Sequence, residues 1–188
     1  SPKGPLSSSK YGIAASGNLN FGYFAGGMPG PESKVERIDY SNDTVTASIR
    51  GNLPLPERYA GASSNSDYGW VAGGNLPSPL TSYSHVLRID FSNDAATASF
   101  RGPLSQARYS HVGTGNKSFG YNCGGYYPAA YSTVDRVDYS NDTATASRRG
   151  NLTVARYDMS AGSSQSNALP QPLVQNFTTV PPSTFGYF

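Results

Sequence analysis

The chain has one cysteine, two histidines, one tryptophan and two methionines in 188 residues. A single thiol, Cys123, excludes an internal disulfide and leaves the redox compartment open. With 14 Lys and Arg against 12 Asp and Glu, a net charge of +2 and only 14% charged residues, the chain carries no basic field of the kind that draws nucleic acid or an acidic membrane surface. No apolar run approaches the roughly 20 residues of a membrane-spanning helix, and no signal peptide opens the sequence. A helical stripe is missing everywhere, which turns attention to strands.

What the sequence does contain is 21 Gly, 14 Pro and 14 Tyr, the mark of a turn-rich β protein with a core of small and aromatic residues. Its words recur. Arg-Gly stands at Arg50-Gly51, Arg101-Gly102 and Arg149-Gly150, with Lys3-Gly4 in the equivalent place. A basic-Tyr pair recurs at Lys10-Tyr11, Arg58-Tyr59, Arg108-Tyr109 and Arg156-Tyr157, and a diglycine at Gly26, Gly73 and Gly124. The phrase aromatic-Ser-Asn-Asp begins at Tyr40, Phe91 and Tyr139. Self-similarity at a period of about 50 residues indicates a propeller, solenoid or array.

One unit predicts four short strands. The first follows the basic-Tyr pair, and the second is aromatic and ends in the two glycines, which suit positive φ or close backbone approach. The third alternates, with Leu87, Ile89 and Phe91 on one face and Val86, Arg88 and Asp90 on the other. The Ser-Asn-Asp turn leads to the fourth. Gly22, Gly69 and Gly120, inside the aromatic strand, are expected to admit a neighbouring ring or backbone. Arg37 and Asp39, Arg88 and Asp90, and Arg136 and Asp138 lie two apart on one strand face. They can pair with each other or with the adjacent unit as a ladder that fixes register. Cys123 aligns with Ala25 and Ala72 and reads as a small buried core residue.

This order of basic-Tyr strand, aromatic strand ending in Gly-Gly, strand ending in aromatic-x-x-Asp and short outer strand resembles the kelch repeat over nearly the whole chain. Kelch units carry a Trp in the fourth strand, where Thr46, Thr97 and Thr145 or their neighbours stand here. The uniform wording of the Ser-Asn-Asp turns and of Arg-Gly-Pro-Leu-Ser also resembles the degenerate kelch-like repeats of environmental, notably marine, phages. The resemblance implies an all-β, kelch-like β-propeller of four-stranded antiparallel blades, with three full blades and partial blades at both ends. Residues 1–6 would end a preceding blade. Blade one would span 10–50, blade two 58–101 and blade three 108–149. A partial blade at 156–188 would carry an irregular insertion over 163–184. The chain is expected to be a segment of a larger repetitive assembly, completed by further blades or by other copies of itself.

Chemistry finds few convergent groups. His85 and His111 occupy different places in their units, and no His, Cys or carboxylate spacing would hold zinc or copper. The ligands of the kelch-like copper oxidases cannot be placed, and Gly-x-Ser-x-Gly is absent. The diglycines lack the Lys-Ser/Thr of a phosphate loop. No cofactor is expected. Asp39, Asn42 and Asp43 with their counterparts offer oxygens to calcium, but an Asx turn explains the same residues without a metal. Asn42, Asn116, Asn141, Asn151 and Asn176 head Asn-x-Ser/Thr triplets that would be glycosylated in a glycosylating source.

Two binding candidates remain. In a propeller Lys10, Arg58, Arg108 and Arg156 would repeat around the central channel as a basic ring for carboxylate or sulfate, unless each braces a neighbouring blade. Tyr83, Tyr126, Tyr127 and Tyr131, on loops after the diglycines, would stack on sugars or peptides, unless they cover apolar surface. The resulting expectation is a non-enzymatic structural and adhesive module of a phage virion appendage such as a tail fibre, at the virion surface or outside the cell. A non-viral extracellular filament or surface adhesin is the competing reading, and an intracellular interaction adaptor the third.

Overall fold

A computed structural model describes residues 2–30, 32–77 and 79–163, so the insertion predicted at 163–184 lies, save its first residue, outside the described residues. The described chain is all-β and forms three four-stranded antiparallel sheets and one two-stranded hairpin. The first sheet is β1 (Ala14–Gly17), β2 (Phe21–Ala25), β3 (Lys34–Asp39) and β4 (Ser48–Asn52) in sequential order. The second begins with β5 (Gly61–Ser64) and β6 (Tyr68–Ala72), and a hairpin of β7 (Asn75–Pro77) and β8 (Leu80–Ser82) then intervenes before β9 (Val86–Asp90) and β10 (Ser99–Arg101). The third is β11 (Val112–Gly115), β12 (Phe119–Cys123), β13 (Thr133–Asp138) and β14 (Ser147–Asn151). Among the described residues no helix is long and apolar enough to cross a membrane.

Each turn is written into the sequence by a side chain that bonds its own backbone. Between first and second strands, Asn18, Asn65 and Asn116 each accept two backbone N–H groups from the residues that open the next strand. After the third strand, Asp39, Asp90 and Asp138 accept the N–H of Ser41, Ser92 and Ser140 and fix a single 3-10 turn. The oxygens offered to calcium on sequence are thus partly used in closing an Asx turn. Both glycines of every diglycine have positive φ.

Alternation in the third strand divides the core as expected. Leu87 and Ile89 face the first sheet and pack with Tyr23, Val35 and Leu53. Val86, on the other face, packs with Trp70, Leu104 and Val137 against the third sheet. Each large side chain so buried contributes about 1.5–3 kcal/mol. The third sheet repeats the pattern without a cover. Tyr121, Cys123 and Val134 are only half-buried, whereas their counterparts Tyr23, Ala25 and Val35, and Trp70, Ala72 and Val86, are buried. Cys123 therefore departs from the expected core position, because no further sheet lies over its face among the described residues.

Neighbouring sheets are joined by one repeated device. Asp94, in the Ser-Asn-Asp turn of the second sheet, accepts hydrogen bonds from Tyr23, Arg37 and Arg50 of the first at 3.0, 2.7 and 2.7 Å. Asp142 of the third sheet accepts from Trp70 and Arg88 of the second at 2.9 and 3.0 Å, with Arg101 at 3.4 Å. Arg37 and Arg88 thus pair across to the adjacent unit and not with the Asp two residues along, while Arg136 meets no carboxylate among the described residues. Each also lies over its own unit's aromatic ring, Arg37 on Phe21, Arg88 on Tyr68 and Arg136 on Phe119, at 4.1–4.3 Å. The backbone follows, with Gly51 N–H donating to Asp94 O and Gly102 N–H to Asp142 O. A Cβ on either glycine would collide with the carbonyl of Ala96 or Ala144. Here the glycine is required by close approach.

The first strands of the three sheets sit side by side. Ser64 Oγ donates to Gly17 O at 2.7 Å, and Gly113 lies against the backbone of Ala62. Together they line a space of about 370 Å³ that includes Ser16, Ala62, Ser64, Gly113 and Thr114.

Candidate functional site

The entries to the first strands gather on one face. A relay of backbone hydrogen bonds links them, from Tyr59 N–H to Gly12 O, Ser110 N–H to Tyr59 O and Asp158 N–H to Ser110 O, each 2.7–2.9 Å. The linked residues share a left-handed backbone, with φ of +63° at Gly12, +55° at Tyr59, +52° at Ser110 and +52° at Asp158. Only the first is glycine, so three of these four positions hold strain of about 1–3 kcal/mol each, the kind of backbone found at ligand sites.

This relay corrects the alignment of the second unit. Bridges pair Tyr11 with Met28, Arg58 with Asn75 and Tyr109 with Tyr126, so Arg58 stands where the other units have tyrosine, and Glu57 stands where they have Lys10 and Arg108. The charged residues at that place point inward. Lys10 Nζ, 2% exposed, pairs with Glu32 at 2.7 Å and with Glu36. Burial opposes its charge, but the two carboxylates outweigh burial and hold its pKa above the ordinary lysine value. Arg108, fully buried, meets Asp135 at 2.5 Å and donates to the carbonyls of Gly124 and Thr133. Ser105 secures Asp135 from its other side through its N–H and hydroxyl. In the second unit the pair is inverted: Glu57 meets His85 at 2.8 Å, and Leu87 fills the place of Glu36 and Asp135. Burial pushes the Glu57 carboxyl up.

The expected basic ring is therefore not presented to a ligand. Lys10 and Arg108 are buried in ion pairs within their own units, Arg58 donates to Asn75 Oδ1 at 3.1 Å, and only Arg156 is exposed. The reason is geometric, since Lys10 and Arg108 turn under the sheet toward the third strand, whereas Arg58, one place further along, stays at the rim with the tyrosines.

The tyrosines turn the other way. Tyr59, Tyr109, Ser110, Tyr126, Tyr157 and Asp158 line a bowl of about 410 Å³ on this face. Tyr109 and Tyr126 have ring centroids 5.7 Å apart, and Tyr126 and Tyr157 5.3 Å in an edge-on arrangement. Tyr11 lies 6.4 Å from Tyr59 at the rim, and the Arg58 guanidinium covers Tyr59 at 5.2 Å. Tyr11 and Tyr157 remain 53% and 49% exposed, which makes them open apolar faces with polar tips. The Asp158 carboxylate and Ser110 hydroxyl are the polar side chains among the tyrosines.

Of the tyrosines predicted from sequence, Tyr126 is in the bowl and three are elsewhere. Tyr83 stacks on His85 at 4.6 Å, Tyr131 faces Arg108 at 5.8 Å, and Tyr127 is half-buried with the φ of +149° that accompanies its loop. Sequence reasoning missed Tyr11, Tyr59, Tyr109 and Tyr157, although they are the second letter of the very pair it singled out. The Asn-x-Ser/Thr residues Asn42, Asn116, Asn141 and Asn151 are exposed, and Asn176 lies outside the described residues. Among the described residues no three His, Cys, Asp or Glu side chains gather to hold a metal.

Scanned against models of protein families, the chain matches none, and a search of curated proteins finds no match.

Proposed function

We propose that the three sheets are blades of a kelch-like β-propeller, and that the chain is a non-enzymatic structural and adhesive module that binds glycan in the tyrosine bowl at its mouth. The single observation that carries this reading is the bowl itself: four tyrosines gathered with one carboxylate and one hydroxyl around a strained, hydrogen-bonded backbone relay. Its volume falls within the range of small-ligand sites. Aromatic faces suit the C–H face of a sugar ring, and Asp158 suits its hydroxyl donors. A carboxylate in the bowl disfavours an acidic sugar, so the ligand class is a neutral saccharide in place of the sulfated or sialylated one that a basic ring would take. The side-by-side first strands and the repeated inter-sheet joint support the propeller reading.

The setting proposed is a virion appendage such as a tail fibre, at the virion surface, which rests on the phage-like wording of the repeats. A subunit of a non-viral extracellular filament is the second reading, favoured by the face of the third sheet that no described residue covers. A neutral glycan array probed with the full chain tests the function. Retention of at least one saccharide is expected, and Tyr126→Ala should weaken it roughly 30-fold, the loss of a central aromatic anchor. Failure to retain any saccharide, or equal retention by Tyr126→Ala, refutes the reading.

A further inference from the structure

The joint between sheets has a donor half and an acceptor half, and among the described residues one donor half meets no acceptor while one acceptor half is met only by Lys3–Pro5. The donor half is a second-strand aromatic, a third-strand Arg and a fourth-strand Arg-Gly, as in Tyr23, Arg37 and Arg50-Gly51. The acceptor half is the next unit's Ser-Asn-Asp turn, whose first aromatic stacks on the incoming ring, Phe91 on Tyr23 at 4.4 Å and Tyr139 on Trp70 at 3.7 Å.

In the third sheet the donor half is Tyr121, Arg136 and Arg149-Gly150. Among the described residues no carboxylate meets it, whereas Arg37 and Arg88 each meet one. A Cβ on Gly150 would meet nothing within 4 Å, although its counterparts Gly4, Gly51 and Gly102 are all clamped against a neighbouring turn. A glycine, an arginine without a carboxylate and a half-buried ring thus stand ready for a contact that the described residues do not supply. At the other end, the first sheet's turn presents Asp43, with Tyr40 53% exposed and Val45 51% exposed beside it. Among the described residues the Asp43 carboxylate is held by Lys3 alone at 3.0 Å, an ion pair whose side chains are 57% and 35% exposed, while Gly4 N–H donates to Asp43 O.

We infer that copies of this chain join head to tail, the third sheet of one copy docking on the first sheet of the next. Tyr121, Arg136 and Arg149 close on the next copy's Asp43, Tyr121 stacks on its Tyr40, and Gly150 takes the place now held by Gly4. The positive donor half and negative acceptor half are complementary, and the same joint is built twice inside the chain. The exchange replaces hydrogen bonds one for one. Gly150 N–H succeeds Gly4 N–H on Asp43 O, and the next copy's Lys10–Gly12 segment succeeds Arg156–Asp158 on Gly125 and Ser110. What it gains is the buried triad in place of an exposed lysine pair. The exchange also moves Tyr157 and Asp158 out of the bowl, where the next copy's Tyr11 and Gly12 take their place.

Sedimentation velocity of the full chain across the micromolar range tests this, with Gly150→Val and Asp43→Arg as single variants. The wild type should associate, and each variant alone should be monomeric, its association weakened about a hundredfold or more. Gly150 has open space around it, so an unchanged melting temperature for Gly150→Val verifies that its fold is intact. Mixing the two variants should give dimers and nothing larger, since one intact donor half then meets one intact acceptor half. A monomeric wild type, association of Gly150→Val like wild type, or a mixture that stays monomeric overturns the inference.

Discussion

Replacing Asp94 by Ala would remove the acceptor that three donors of the first sheet share, and its cost can be worked from their surroundings. Asp94 is buried, and Arg50 grips it through two nitrogens at 2.7 Å while Arg37 adds a third contact at 2.7 Å. Removing one partner of a buried ion pair costs about 3–5 kcal/mol. Arg37 and Arg50 are 22% and 32% exposed and regain part of their hydration, which trims that figure. The Tyr23 hydroxyl is fully buried and regains none, adding about 1–3 kcal/mol for an unmade hydrogen bond. The expected net loss is about 3–4 kcal/mol. Asp142→Ala should cost a similar amount, since it strands Trp70 Nε1, Arg88 and Arg101. Asp43→Ala, in the same sequence context, loses only the exposed Lys3 pair and should cost under about 1 kcal/mol. Urea unfolding followed by the fluorescence of Trp70, the one tryptophan and itself a donor to Asp142, measures all three at a concentration where the chain is monomeric. Equal losses for Asp43 and Asp94, or a loss under about 1 kcal/mol at Asp94, would refute the assignment of the Ser-Asn-Asp turn as the inter-sheet joint.

The same carboxylate makes stability acid-sensitive. Burial opposes its charge, but Arg50, Tyr23 and Arg37 outweigh burial and hold its pKa below 3.8, so its contribution is present above that value and lost as pH falls through the lower folded pKa. His111 acts at higher pH. Burial, with the Arg108 charge behind it, lowers its pKa from 6.5 to about 3, so the unfolded chain takes its proton first and stability falls as pH drops from 6.5 toward 3. Between pH 6.5 and 4.5 the loss should reach about 2–3 kcal/mol, and His111→Gln should flatten it; parallel curves would contradict this. Gly102→Ala should cost about 3 kcal/mol by driving a methyl into the Ala144 carbonyl, while Gly150→Ala should be neutral or stabilise by about 0.5–1 kcal/mol; matching urea midpoints for the two would refute the close-approach argument.

Local features were legible in the sequence because local chemistry sets them. The Ser-Asn-Asp turns, the diglycines and the alternation of Leu87 and Ile89 each act within a few residues, and so the strands could be placed. The joint was not legible, because Asp94 draws its donors from 44 to 71 residues away and its letters read equally well as a turn. The second unit was misaligned by one residue because Arg58-Tyr59 matches the other basic-Tyr pairs in letters, whereas backbone hydrogen bonds put Glu57 in register with Lys10 and Arg108. Only the pairing of Glu57 with His85, an acid and a base that have exchanged strands, would have betrayed the shift. The bowl was half legible: the right pairs were singled out, but sequence does not say which member turns under the sheet.

That division of labour within the Lys10-Tyr11 and Arg108-Tyr109 pairs is what the functional account rests on, and one crossed measurement tests it. Glycan retention and melting temperature are recorded side by side for Tyr109→Ala and Lys10→Met. The account predicts that Tyr109→Ala loses retention with its melting temperature nearly unchanged. It predicts that Lys10→Met, which strands the buried Glu36, loses about 3–5 kcal/mol of stability yet retains glycan at temperatures where it is folded. Loss of retention by Lys10→Met at an unchanged melting temperature, with Tyr109→Ala binding as wild type, would contradict it.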